Sequence, residues 1–231
     1  MLTNASVDQE NLKKIHQDIQ KHSPHPKKVT IIAVTKTFSY TAIQSAENNN
    51  IFHIGESKIQ ETQKKIANKK FNPKTQIHLI GHLQSNKVSL AVQIYKTIHS
   101  VDSFKLLNKI NKSAEKQNKQ QQIFLQLNIT ENPKQTGFKK QQINEAAKTA
   151  KTLPFIQTTG IMCIGTHKKN KTTNRAYFKK VKQAQEHIQR TIDRQCVYLS
   201  LGMSQDYILA LQEGSTHLRL GTALFQKRHE E

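Results

Sequence analysis

The sequence predicts an α/β protein, a single (β/α)8 barrel of the TIM type with one extra helix at its N-terminus. Three observations carry this reading. Short apolar runs rich in β-branched residues recur eight times, segments of helical period and length lie between them, and all of this fits into 231 residues. Strands alternating with helices imply a parallel sheet, and eight units in this length suit a closed barrel better than an open doubly wound sheet. No composition break or fixed-period repeat marks a second domain, so 1–231 is read as one barrel domain.

The elements follow in order. A helix is expected over 7–21, and Pro24 and Pro26 punctuate the link to the first strand. That strand, 30–34, is β-branched and apolar nearly throughout, as befits a strand buried on both faces. Further strands are expected at 51–54, 76–80, 97–101, 122–129, 157–164, 197–201 and 217–220. Helices are read at 41–48, 57–67, 103–116, 141–153, 173–191 and 205–212, with Ser85-Asn86-Lys87 opening another and Gly221-Thr222 opening a final helix-like segment. Gly55-Glu56-Ser57 and Asp102-Ser103 look like strand exits that cap the next helix.

In such barrels ligands sit at the carboxyl ends of the strands, and phosphate sites favour the loops after strands 7 and 8. Lys36 follows the first strand, Gly202-Met203-Ser204 the seventh and Gly221-Thr222 the eighth. Closure makes the eighth strand the neighbour of the first, so the three groups should meet. A lysine at the mouth of a buried strand is placed to be desolvated, which favours the free amine that condenses with aldehydes. The two glycine turns offer backbone N–H groups and hydroxyls at helix starts, where anions bind. An amine beside a phosphate cradle suggests a phosphorylated aldehyde cofactor. Arg219, two residues before Gly221, should point the same way along a strand of period two. It would face a pyridine nitrogen or, alternatively, form a salt bridge with Glu213 or Asp206.

Other signals exclude more than they assign. A net charge of +20 raises nucleic-acid or anionic-surface binding. Against it, the lysines are spread along helices rather than gathered in one arm, and the chain is rich in Lys, Gln, Asn, Ile and Thr overall. Cys163 and Cys196 lie far apart in apolar runs and form no CxxC pair, which gives zinc or thioredoxin-type chemistry no support. His78 and His82 have a metal-like spacing only on a helix, and a strand-to-turn switch separates them. No Ser-His-Asp arrangement, paired carboxylates or glycine-rich nucleotide loop can be read. With no signal-peptide pattern and no apolar stretch near membrane length, the expected setting is the reduced cytoplasm.

The chain resembles the pyridoxal phosphate homeostasis proteins, small relatives of the barrel domain of alanine racemase. The stretches that carry the likeness are Ala33-Val34-Thr35-Lys36-Thr37, Gly55-Glu56-Ser57 with Gln60-Glu61, and the highly specific Gly81-His82-Leu83-Gln84-Ser85-Asn86-Lys87 after His78-Leu79-Ile80. They continue through His99-Ser100-Val101-Asp102-Ser103, Gln126-Leu127-Asn128, Leu199 to Ser204, Glu213 to Thr216 and Arg219 to Phe225. The resemblance implies an internal aldimine between Lys36 and pyridoxal 5′-phosphate, with Ser204, Gly221 and Thr222 on the phosphate and Arg219 toward the pyridine nitrogen. It implies a protein that binds, buffers or delivers the cofactor in the cytosol, with apo-enzymes as recipients and no established turnover.

The chemistry agrees with that restraint, because an arginine cannot give the pyridine a proton and leaves the ring a weak electron sink. Racemase relatives add a second domain with a catalytic tyrosine, and their dimer needs that domain, so a monomer is expected here. The alternatives are an amino-acid racemase or decarboxylase on the same site, with His82 as a candidate acid/base, and a nucleic-acid-binding protein. Four departures from the family pattern stand out. Ser57 replaces an asparagine, and Gln135 replaces a lysine two places before Gly137, with Lys134 alongside. The stretch 161–166 lacks a proline after Met162, and the chain ends in Arg228-His229-Glu230-Glu231.

Overall fold

A computed structural model describes residues 2–130, 132, 135–165 and 171–225. Eight parallel strands close on themselves in sequence order, β1 (Thr30–Val34), β2 (His53–Glu56), β3 (Gln76–Leu79), β4 (Thr97–Val101), β5 (Gln121–Gln126), β6 (Ile156–Met162), β7 (Tyr198–Met203) and β8 (His217–Leu220). The ring closes where β1 pairs with β8, Ile32 opposite Arg219 and Ala33 opposite Leu220. Helices α1 (Gln9–His22), α2 (Tyr40–Asn48), α3 (Ile59–Ile66), α4 (Val88–Ile94), α5 (Phe104–Lys116), α6 (Ile143–Thr152), α7 (Lys171–Thr191) and α8 (Tyr207–Gln212) surround it.

Each helix starts where a polar side chain can take up a free N–H or where an apolar face can be buried. Asp8 accepts from Asn11 N at 2.9 Å, and α1 buries Leu12, Ile15 and Ile19. Ser103 accepts from Leu106 N to start α5, as the sequence reading expected. Ser57 and Ser85 do not cap. The residue before α3 is Lys58 and that before α4 is Lys87, neither with a side-chain cap, and Ser85–Lys87 instead form a 3-10 turn. The expected final helix is, within the described residues, a single turn in which Leu224 and Phe225 N–H both bond Gly221 O; residues 226–231 lie outside them.

Strand alternation divides the buried residues into two sets. Ile31, Ala33, Ile54, Leu79, Ile98, Ile123, Leu125, Ile161, Leu199, Leu201, Leu218 and Leu220 join the core between sheet and helices. The intervening positions face the lumen, because they bond across it: His99 on β4 reaches Ser200 on β7 at 3.0 Å. Barrel interiors are ordinarily filled by Val, Ile and Leu. Here Ile32, Val34, Phe124 and Met162 share the lumen with His53, His78, His99, His217, Ser200 and Arg219, most of them buried.

Candidate functional site

At the exit of β1 the ladder runs one residue further, Thr35 N bonding Gly55 O at 3.1 Å, before the chain turns through Lys36 and Thr37. Thr37 has φ of 69°, a left-handed conformation that a β-branched residue adopts only under constraint. The constraint is visible. Thr37 N donates to Glu61 Oε1 at 2.7 Å, and Thr35 Oγ1 donates to Glu56 Oε1 at 2.6 Å. Lys65 Nζ donates to Thr35 O at 2.7 Å and to Glu56 Oε1 at 2.5 Å, and lies 3.9 Å from Glu61. Both peptide neighbours of Lys36 are thus held by one charged cluster on β2 and α3. Burial pushes the Glu56 carboxyl up from its ordinary value, against the pull of Lys65 and Thr35.

Lys36 itself is exposed. The expected desolvation at a buried strand mouth is therefore not found, because Lys36 stands one residue beyond the buried Thr35, on the turn. The lysine that burial reaches is Lys65, whose side chain is fully covered beneath that turn.

On the neighbouring strand, Arg219 is 5 % exposed. Its Nη1 donates to Ser200 O at 2.6 Å and Ser200 Oγ at 2.7 Å, and its Nη2 to Cys163 O at 2.9 Å. Burial draws its pKa below the usual arginine value, with Cys163 and Asp206 acting in the opposite sense. Neither carboxylate considered from the sequence is its hydrogen-bonding partner. Glu213 pairs with Arg175 at 2.8 Å, and Asp206 accepts from Met203 N at 2.6 Å.

Gly221 follows Leu220, the last residue of β8, and a Cβ there would sit 3.6 Å from Val34, an ordinary contact. Ser204 Oγ accepts from Ala223 N at 3.1 Å, so the exits of β7 and β8 are tied together as the sequence suggested. Thr222 is exposed on that turn. The other turn is built differently from the expectation: Gly202 and Met203 are still strand, and Met203 N–H is committed to Asp206. Gly202, with φ of 87°, makes room for Ala210, whose Cβ would lie 2.6 Å from an added methyl.

The remaining sequence candidates are dispersed. His78 lies in the lumen between His53 and His99, each at 3.0 Å, whereas His82 is on the rim with Asp102 at 3.1 Å, so the two do not face a common point. Gln135 stitches the loop after β5 to the end of β6, its Nε2 bonding Ile164 O at 3.1 Å and its Oε1 accepting from Thr130. Gly81 packs on the Ser57 backbone, closing the β3 exit over that of β2. Lys134, Thr166 and the four C-terminal residues lie outside the described set. Sequence reasoning missed Glu61 and Lys65 as the braces of the Lys36 turn, and the histidines as a group lining the lumen. Their signals were the i,i+4 pair on α3 and polar residues at alternate positions of otherwise apolar strands.

Comparison with known proteins follows the same outline. Residues 7–229 match the family described as "Alanine racemase, N-terminal domain". The pyridoxal phosphate homeostasis protein of Aquifex aeolicus is 31 % identical over 198 residues, covering 86 % of each chain. PipY of Synechococcus elongatus, solved without PLP, is 30 % identical with a TM-score of 0.86 over 94 % of this chain and 99 % of its own. The same protein with PLP bound gives 29 % and 0.83 over the same shares. With barrel and relatives in agreement, the chain belongs to the alanine racemase N-terminal domain family and, within it, to the pyridoxal phosphate homeostasis proteins.

Proposed function

We propose that the protein binds pyridoxal 5′-phosphate through a Schiff base on Lys36 and serves to store, buffer or deliver it inside the cell, with apo-enzymes that need the cofactor as recipients. The observation that carries this reading is the meeting of three unlike groups at one mouth of the barrel. An exposed lysine stands on a braced turn of β1, a buried arginine lies across from Ile32 on β8, and the Ser204–Ala223 bond joins the two exits expected to hold phosphate. The relatives' names and the PLP-bound PipY support it.

The residues fit the cofactor's chemistry. When bound, pyridoxal phosphate supplies an electrophilic aldehyde and an electron-withdrawing ring. This chain offers Lys36 as the amine, Ser204, Gly221 and Thr222 toward the phosphate, and Arg219 toward the pyridine nitrogen. Arg219 donates hydrogen bonds without giving up a proton, so toward a bound pyridine it would act as a donor to an unprotonated nitrogen and would leave the ring a poor carbanion sink. That disposition suits holding more than turnover.

The test is the absorbance spectrum of purified protein loaded with pyridoxal phosphate, as wild type and Lys36→Ala, before and after borohydride. A band near the visible edge, lost on reduction and absent from Lys36→Ala, is the expected result. No band in the loaded wild type would overturn the reading.

A further inference from the structure

The lumen holds an unbroken line of hydrogen bonds that the site description leaves unused. His53 Nδ1 lies 3.0 Å from His78 Nε2, His78 Nδ1 3.0 Å from His99 Nε2, and His99 Nδ1 3.0 Å from Ser200 Oγ. Ser200 Oγ in turn receives Arg219 Nη1 at 2.7 Å. The line begins at the half-buried His53, the first residue of β2, and crosses β3, β4 and β7 to reach β8.

One end fixes the direction of every bond. A guanidinium only donates, whereas a hydroxyl has one proton and two lone pairs. Ser200 Oγ accepts from Arg219, so its own proton goes to another acceptor, and His99 Nδ1 is the one that the described residues supply. His99 then carries its proton on Nε2, which faces His78 Nδ1. The same argument puts the His78 proton on Nε2, facing His53 Nδ1, and leaves His53 with its N–H on Nε2. The reverse order would press two donors on one serine oxygen and leave its hydrogen without an acceptor among the described residues.

All three imidazoles must be neutral for this line to exist. Burial holds His78 and His99 well below the ordinary histidine value, with neighbouring rings adding to the effect, and lowers His53 as well. The His99 ring is also stacked on Phe124 at 4.2 Å, which fixes its plane. His217 stands beside the line, its Nδ1 engaged with Thr216 Oγ1 at 2.9 Å. Each dipole in the line turns its negative end toward Arg219. The line therefore acts as a counter-charge for a buried cation whose direct partners are carbonyls and a hydroxyl.

We propose that Ser200, His99, His78 and His53 are positioning residues for Arg219, a tautomer-locked line that fixes the guanidinium and sets how strongly its remaining N–H groups polarise the pyridine nitrogen of bound pyridoxal phosphate. The statement about the pyridine rests on the functional reading above; the statement about the tautomers does not. Of the five N–H groups of an arginine, three are placed by Ser200 and Cys163, so the aim of the others follows from those anchors.

Imidazole 15N NMR on the full-length, cofactor-free protein, assigned with single histidine variants, tests the first part. The expected result is the Nε2–H tautomer at His53, His78 and His99, and its loss at His99 in Ser200→Ala. An Nδ1–H or mixed population in the wild type would overturn the proposal without recourse to any variant. The second part is read with pyridine-15N-labelled pyridoxal phosphate: a shift of the ring nitrogen between wild type and Ser200→Ala is expected, and an unchanged signal overturns it. Failure of the wild type to take up the labelled cofactor would overturn the functional reading and the pyridine statement together, and the imidazole spectra would still decide the line itself.

Discussion

At the scale of single residues, the least expected participant is Glu56. Its Oε1 accepts both the Thr35 hydroxyl and the Lys65 ammonium in a place with no access to solvent. Desolvation of such a pair takes back much of its Coulombic gain, but removing one partner strands the other charge. Glu56→Gln is therefore expected to destabilise the protein by about 3–5 kcal/mol, read as a lower urea midpoint. The same substitution should loosen the strained Lys36–Thr37 turn. A loss of stability below about 1 kcal/mol would show that Lys65 finds another acceptor. From the sequence Glu56 looks like part of a strand exit, because hydropathy cannot distinguish a buried paired carboxylate from a solvated one. The exposure of Lys36 was not legible in the sequence, since the burial of a strand says little about the residue one step past its end.

At the scale of elements, β1, β4 and β8 have the limits that the sequence implies. The second strand, expected at 51–54, lies at His53–Glu56. Ile51 is buried ahead of the strand, and the polar end of the strand is covered by Lys65. The fifth, expected to run through 129, ends at Gln126; Leu127 to Ile129 stay buried in a loop that pairs through Leu127 and Phe138. The seventh extends to Met203 because Gly202, in a left-handed conformation, lets α8 close against it. Gly202→Ala adds backbone strain of roughly 1–3 kcal/mol and an overpacking cost of similar size, so a loss of about 2–6 kcal/mol is expected in thermal or urea unfolding. A near-neutral effect would mean that α8 shifts freely on the sheet.

The whole molecule combines a strongly basic exterior with a lumen of neutral imidazoles. In the unfolded chain each histidine titrates near 6.5, whereas burial lowers His78 and His99 well below that and His217 to about 3. Below pH ~6.5 the unfolded chain therefore binds protons that the folded barrel refuses, and stability falls with pH. The slope is about 1.4 kcal/mol per pH unit for each of these rings, and the term vanishes above that pH. Urea midpoints at pH 7.5, 6 and 5 measure it. A flat profile would mean that the lumen accepts the protons. The charge of +20 calls for a separate measurement. Spread over helices, it should give nucleic-acid binding that is lost by about 150 mM salt, whereas affinity persisting beyond that would indicate a dedicated surface.

The junction of β1 with β8 has a consequence for how the protein comes into being. Lys36 and Arg219 belong to the first and last staves of the ring, and the terminal segments are fastened there too. Asp8 N bonds Leu224 O at 2.9 Å, and Asp18 receives the Tyr207 hydroxyl at 2.6 Å. A growing chain cannot present this site before β8 has been made, since its halves lie on the first and the eighth strands. Contacts so distant in sequence form late and slowly. A molecule gripped by both staves would act as a clasp on the finished hoop, adding about 2.7 kcal/mol at a hundredfold excess over its dissociation constant. Cofactor supply and the survival of newly made barrels would then be the same equilibrium seen from two sides.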